Sequence, residues 1–410
     1  MTDTPVPAAF LDIHVLQTIP LSGLNLDGDG CPKSVVLGGA TRARISAYSK
    51  KRPVRLHVEE ALPDQASVRT RRLVHEVRDL LVREEGWNEE LATFTALDVF
   101  TAASSGQMSL GSSTDDIQAK DPLATAALIY TPTTTAHRMA ATAAERKHDY
   151  EIALKEAEAS TAKPQSGRAS KKKDKEQEEA GGTVTNPADL EGLLASANAS
   201  IALLGRTLME INGAERDACV QVASAFTTHE ANIEIDFFVA VDDYAAKTQD
   251  VPSVGLIGDQ RLVAGTFYMY STIALRSFAD AIDNDLVLAR AVCRAYIDGF
   301  IHTLPKTGQT SSAAWTLPDL VHLAVRTDRP VNLSTAFDNP VTGRQGHADP
   351  SIARLSDYAK AIQRLTAGRG LVHSVHAYTG TTKLPGLGTR VDTFDRAIES
   401  ALDAAFGTTP

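Results

Sequence analysis

Residues 13–55 read IHVLQTIPLSGLNLDGDGCPKSVVLGGATRARISAYSKKRPVR, and how this stretch folds decides the reading of the whole chain. With the residues just ahead of it, Leu11, Ile13 and Val15 alternate against Asp12 and His14, which predicts a strand over 10–17 with one buried face. Residues 20–32 gather Ser22, Gly23, Asn25, Asp27, Gly28, Asp29 and Gly30, a loop composition. A short strand over 35–37 precedes Gly38-Gly39, and residues 42–46 alternate again. The stretch closes on two hydroxyls (Ser46, Ser49), an aromatic (Tyr48) and four cations (Lys50, Lys51, Arg52, Arg55) within ten residues. Hydroxyls and cations at a helix start suit a phosphodiester backbone, because backbone N–H groups there point outward. Tyr48 could stack on a base.

The charge distribution points the same way. The 410 residues carry 41 Lys and Arg against 51 Asp and Glu, a net charge of −10. Residues 30–58 hold seven of the cations (Lys33, Arg42, Arg44, Lys50, Lys51, Arg52, Arg55) and no acid. The remainder has 34 basic and 51 acidic residues, so a polyanion is steered to one site and repelled elsewhere. The alternative is a solvated basic loop. A composition of 43% hydrophobic and 22% charged residues excludes wholesale disorder. The longest apolar run, 262–275, lies between Arg261 and Arg276 and is too short to span a bilayer. No Lys or Arg precedes Lys33, so a secretory leader is not expected. Cys31, Cys219 and Cys293 form no CxxC; neither a disulfide framework nor a zinc site is expected, and a cytoplasmic setting fits.

Further along, Asp64 is read as the cap of a helix reaching Gly86, and residues 88–146 are Ala/Thr-rich with weak helical periodicity. Residues 163–182 lack any large apolar side chain, which predicts a disordered surface insertion. Residues 201–209, IALLGRTLM, read as a buried strand containing Gly205 and Arg206. Strands over 233–241 and 262–275 form a long hairpin, in which Phe237 and Val239 share one face and Phe238 takes the other. That arrangement suits a base wedge or a hydrophobic mini-core. A strand over 320–325 and helices over 285–302, 351–367 and 392–406 complete an α+β order. No GxGxxG, P-loop, HExxH or GxSxG motif is present. Asn25, Asp27, Asp29 and Gly30 imitate the start of a calcium loop, but Val36 stands where a bidentate Glu is required, so a tight turn is the better reading.

Residues 13–55, with LLGRTLMEINGAERDACVQVASAFTTH (203–229), IDFFVAVDD (235–243) and GTFYMYSTIAL (265–275), resemble CasC, the repeated backbone subunit of the type I-E CRISPR complex Cascade. The resemblance implies a ferredoxin-like, RRM-type palm (8–60, 200–230 and 265–408), helical fingers (61–199) and a β-hairpin thumb (231–264). It implies a non-catalytic subunit, without cofactor or metal, that stacks with copies of itself along a guide RNA. The other expected partners are the target DNA strand, the remaining Cascade subunits and a separate helicase-nuclease; no membrane is involved. By resemblance, Asn25, Lys33, Ser46, Ser49, Lys51, Arg52 and Arg206 meet the guide, and Phe238 and Val239 form the thumb-tip wedge. Tyr48, Lys50 and Arg55 join the RNA-binding set from their place in the basic run. Four departures stand out: Leu26 replaces the family's Arg, Thr207 replaces a Met, Ala47-Tyr48 replace Ser-Gln, and Pro53 lies inside α-helical sequence. With Ser49 as N-cap, Pro53 falls near the edge of the tolerated first turn. The competing readings are a metal-dependent ribonuclease using Asp27 or Asp29 and a guide-processing nuclease using His14.

Overall fold

The computed structural model describes residues 6, 8–111, 121–161, 183–244, 254–343 and 345–407, so the insertion expected over 163–182 lies outside the described residues. Twelve strands are described: β1 Phe10–Ser22, β2 Ser34–Leu37, β3 Ala40–Ile45, β4 Ser67–Thr70, β5 Ile129–Pro132, β6 Val220–Val222, β7 Ala225–Thr227, β8 Ile233–Val241, β9 Val254–Ala274, β10 Leu320–Arg326, β11 Leu371–Tyr378 and β12 Thr389–Val391. The described helices are α1 Ala47–Ala61, α2 Leu73–Arg83, α3 Glu89–Ala103, α4 Thr134–Ala144, α5 Lys147–Thr161, α6 Ala199–Leu204, α7 Leu275–Ala281, α8 Leu286–His302, α9 Gln309–Ser312, α10 Ala348–Leu365 and α11 Phe394–Phe406. The chain divides into two compact units, Met1–Pro63 with Cys219–Pro410, and Asp64–Ala218. Residues 200–218, expected in the palm, therefore belong to the second unit.

The first unit is built on a mixed sheet in the order β12-β11-β10-β1-β9-β7-β3-β2, with β6 and β8 also paired to β9. All pairings are antiparallel except β11 with β12. Strand β1 is central and buried on both faces, not on one as its alternation predicted. Its Asp12, His14 and Gln17 are buried with the apolar residues. Asp12 accepts from Tyr270 Oη at 2.8 Å, Arg326 Nε at 2.9 Å and Val331 N–H at 3.0 Å. Alternation here separates two covered faces, because helices lie on both sides of the sheet. Leu16 packs in a cluster with Phe337, Ile352 and Leu355, the last two on α10. On the opposite face Ser271, paired with Ile13, meets Tyr296 of α8 through hydroxyls 2.8 Å apart.

Residues 254–263 of β9 pair with β8 as a hairpin, whereas the arm expected over 262–275 runs on into the covered sheet and pairs with β1; most of the hairpin's second arm is thus the stretch read as its turn. The second unit packs α2 to α5 around Val74, Val77, Leu81, Phe100, Met139 and Tyr150. The single helix expected from Asp64 to Gly86 is instead a 3-10 turn at Pro63–Gln65, then β4, then α2. Pairing of Val68 and Arg69 with Thr131 and Tyr130 of β5 overrides the local helical pattern. The strand expected over 201–209 is also corrected. Asn198 caps α6, which ends at Gly205 with φ +78°; a Cβ there would lie 2.9 Å from Ala218, so glycine is required twice over.

Candidate nucleic-acid interface

The acid-free stretch folds into a closed loop feeding the capped start of α1. Leu26 bridges Pro32, the Asp27 N–H donates to Cys31 O at 2.8 Å, and the Lys33 N–H donates to Asn25 O at 2.9 Å. Asp27 Oδ1 accepts from the N–H groups of Asp29 and Cys31, both at 2.9 Å, and Gly30 sits at φ +74°. The segment is a tight turn that the Asp27 carboxylate itself closes, while Asp29 is exposed at its tip. Arg261 Nη1 on β9 donates to Cys31 Sγ at 2.7 Å and braces the loop from the side.

Asn25 Oδ1 accepts the Ser46 N–H at 2.8 Å, so this side chain ties the loop to the helix start. Ser46, not Ser49, is the N-cap: its Oγ accepts the Ser49 N–H at 3.3 Å. The N–H groups of Ala47 and Tyr48 belong to the first turn and have no intrahelical acceptor. That turn holds no acidic side chain, so its positive dipole end is uncompensated. Moving the cap back to Ser46 places Pro53 in the helix interior, where its ring costs about 3 kcal/mol. Burial of Val54 and Val58 offsets that cost.

Helical periodicity then sorts the cations. Lys50, Val54 and Val58 fall on the buried face of α1, whereas Tyr48 and Arg52, four residues apart, are exposed. Lys51 and Arg55 flank that exposed face, partly buried, and Arg55 pairs with Glu59 at 3.4 Å. Lys50 is 3% exposed; its Nζ donates to the Thr303 carbonyl and lies 5.0 Å from the centre of the Phe300 ring. Desolvation pushes its pKa down to about 7. Lys50 is thus a core residue joining α1 to α8 and is removed from the RNA-binding set. Arg42 is 0% exposed and donates to the carbonyls of Thr227, Phe337 and Asp338. The cations that keep more exposed surface are Lys33, Arg44, Lys51 and Arg52, whereas the Arg55 side chain is 11% exposed and held by Glu59, against its expected place in the RNA-binding set.

Arg206 is likewise corrected. It is 4% exposed, and its guanidinium donates to four carbonyls of the second unit: Ala214 at 2.7 Å, Tyr130 at 3.1 Å, Ser196 at 2.8 Å and Ala195 at 2.7 Å. Burial lowers its pKa to about 10. Its donors are taken up by these carbonyls and hold the loops of the second unit together. His14 is also enclosed: its Nδ1 is 2.9 Å from Tyr268 Oη, its ring stacks on His322, and burial holds its pKa well below the usual histidine range. A side chain with no solvent access cannot take a proton from RNA.

The hairpin shows the expected alternation, with Phe237 opposite Asp259, Phe238 opposite Gly258 and Val239 opposite Ile257. Every residue of β8 is exposed, so no mini-core forms. Phe238 and Val239 lie within the strand rather than at its turn, and they project from opposite faces. The Phe238 ring lies across Gly258, where a Cβ would come within 2.4 Å of the ring edge.

Sequence reading passed over residues 303–319. The segment starts at the Thr303 carbonyl that holds Lys50, and Gly308 (φ +69°) approaches the carbonyl of Gly23 so closely that a Cβ would lie 3.0 Å away. It ends along β1, where the Asp319 N–H donates to Leu16 O at 2.9 Å. A Gly/Ser/Thr-rich run after an aliphatic helix was the available signal.

A model of the CT1975-like protein family matches residues 11–400. The chain belongs to that family. Solved chains of a CRISPR RNA-guided surveillance complex are similar over nearly their whole length. One, in a pre-nicking state, is 33% identical with a TM-score of 0.79, covering 97% of this chain and 100% of that one. A second is 30% identical with a TM-score of 0.72 and the same coverage. No curated protein matches the chain. Among the described residues of this family member, no helix is long and apolar enough to cross a membrane.

Proposed function

We propose that the chain is a non-catalytic backbone subunit of a Cascade-type CRISPR RNA-guided complex, of the CasC kind, acting in the cytoplasm in antiviral defence. The carrying observation is the 33% identity and TM-score of 0.79 over the full length of a surveillance-complex chain. Copies of the protein stack along the guide RNA, with the first unit as palm, the second as fingers and the β8–β9 hairpin as thumb. Lys33, Lys51 and Arg52 with the capped start of α1 hold phosphates, while base pairing by the guide reads the target DNA. The hairpin displaces nucleotides at intervals, other subunits complete the complex, and a separate helicase-nuclease cuts. The acidic remainder of the chain limits stray nucleic-acid binding.

The test is single-stranded RNA binding across a salt series, with labelled RNA incubated in Mg²⁺ and in EDTA. If each protomer neutralises about three to five phosphates, the log–log slope is roughly −2 to −3.5. The RNA should emerge intact. Cutting in Mg²⁺ alone would favour the ribonuclease reading through Asp29 and Asp27, and a slope near zero would remove the phosphate track.

A further inference from the structure

We infer that Trp315 is a stacking platform for a base of the bound single strand, at a site beside the basic track. The inference rests on the RNA-binding reading above. Trp315 is 57% exposed, yet its backbone is pinned on both sides. Ala313 adopts the left-handed region at φ 45°, and Trp315 N–H donates to its carbonyl at 2.8 Å. Ala314 is fully buried, its N–H on Gln309 Oε1 at 2.8 Å. Thr316 turns inward: Gln17 Nε2 donates to its carbonyl at 2.6 Å, and its Oγ1 donates to Thr18 O at 2.8 Å. The acid nearby, Asp319, has Oδ2 covered by the Thr18 N–H and hydroxyl, both at 2.8 Å. A left-handed non-glycine residue next to a presented side chain is the kind of strain that functional loops retain.

A large ring held out on a rigid loop loses little freedom when something stacks on it. The favoured occupant is a nucleobase. The same segment approaches the start of the basic loop through Gly23, and it carries the exposed Lys306. Lys33 lines one small cavity with Ile19 of β1, the residue after the Thr18 that Thr316 bonds, so a strand held at Lys33 would pass near this loop, and every base offers a π-face.

The chain has two tryptophans, and the other, Trp87, is 4% exposed in the core of the second unit. A Trp87→Phe variant therefore isolates the Trp315 signal, and ¹⁹F NMR of the 5-fluorotryptophan-labelled wild type gives the same readout without a substitution. Titration with an adenosine hexanucleotide at low salt should quench Trp315 and shield it from acrylamide. Trp315→Ala should weaken binding about tenfold with an unchanged salt slope, and Trp315→Phe should restore most of it. If the RNA binds with Trp315 unquenched and Trp315→Ala neutral, the stacking assignment is wrong while the RNA-binding reading stands. If wild type binds no RNA, both fall. If Trp315 becomes shielded on raising protein concentration without RNA, it is a contact between copies and the assignment is overturned.

Discussion

Replacing Lys50 by Met separates the structural account of the basic helix from the charge-counting one. Burial lowers the Lys50 pKa from 10.5 to about 7. At about 1.4 kcal/mol per unit, the shift corresponds to roughly 5 kcal/mol of unfavourable desolvation of the ammonium group. Against that gain, the Met variant leaves the Thr303 carbonyl without this donor, which costs about 2 kcal/mol, and loses the contact with the Phe300 ring, about 1 kcal/mol. Lys50→Met, close in shape and uncharged, should therefore stabilise the first unit by about 2 kcal/mol at pH 7, or roughly 4 °C in melting temperature. The pH dependence gives a second readout. Because the folded-state pKa lies below the unfolded value, the unfolded chain binds more protons between about pH 7 and 10.5. Wild-type stability should rise through that window, and the Met variant should lack this rise. Thermal melts at pH 7, 8 and 9, with RNA affinity and salt slope measured alongside, decide it. A variant that melts lower at pH 7 and loses affinity with a shallower salt slope would refute the reasoning and return Lys50 to the phosphate track.

Changing Lys51 and Arg52 together to Ala should weaken RNA binding for all sequences alike and flatten the salt slope by about 1.4, at 0.7 per charge; loss for one sequence only would mean that they read bases. Arg206→Met removes a donor from four carbonyls, of which Ala195 O keeps a 3.4 Å bond from Arg216 Nη2, and should destabilise the second unit by about 3 kcal/mol in urea melts; an unaltered midpoint with reduced RNA affinity would reverse its assignment. His14, His322 and His376 are direct cross-strand neighbours in the first unit. Burial holds His322 at about 3, so the unfolded chain binds more protons as the pH falls below 6.5, and stability should decline toward acid. His322→Leu should reduce that decline by about 1 kcal/mol per pH unit below 6.5, and parallel curves for the two proteins would show that His322 titrates normally. Phe238→Ala should leave the melting temperature and salt slope in place while the pattern of displaced bases, read by 2-aminopurine fluorescence, fades; an unfolded variant would make Phe238 a core residue.

Some of this protein was legible in the order of its residues. The strand at β1, the β8 arm of the hairpin with its alternation, and the helices α8, α10 and α11 follow from local periodicity, which survives because each element presents its apolar positions at its own repeat. The closed loop over 25–33 was legible because Asn, Asp and Gly carry turn chemistry in their own side chains and backbone. Two elements were misread where a partner distant in sequence settled the conformation: β4, drawn out of a helical pattern by β5, and α6, read as a strand because a fully buried helix shows no periodic face.

What the sequence determined by itself was where positive charge is concentrated, since the acid-free run is a property of composition along the chain. Which cations reach a ligand was decided only by tertiary structure. Lys50, Lys51 and Arg52 are adjacent and chemically alike, but 100° of helical rotation between neighbours turns Lys50 into α8 and leaves Arg52 in solvent. Arg42 and Arg206 carry the same guanidinium as Arg52, yet each is enclosed by carbonyls supplied from distant segments. Residue type sets what a side chain can do; burial and hydrogen-bond partners, contributed from far along the chain, set whether its charge is available to anything outside the fold.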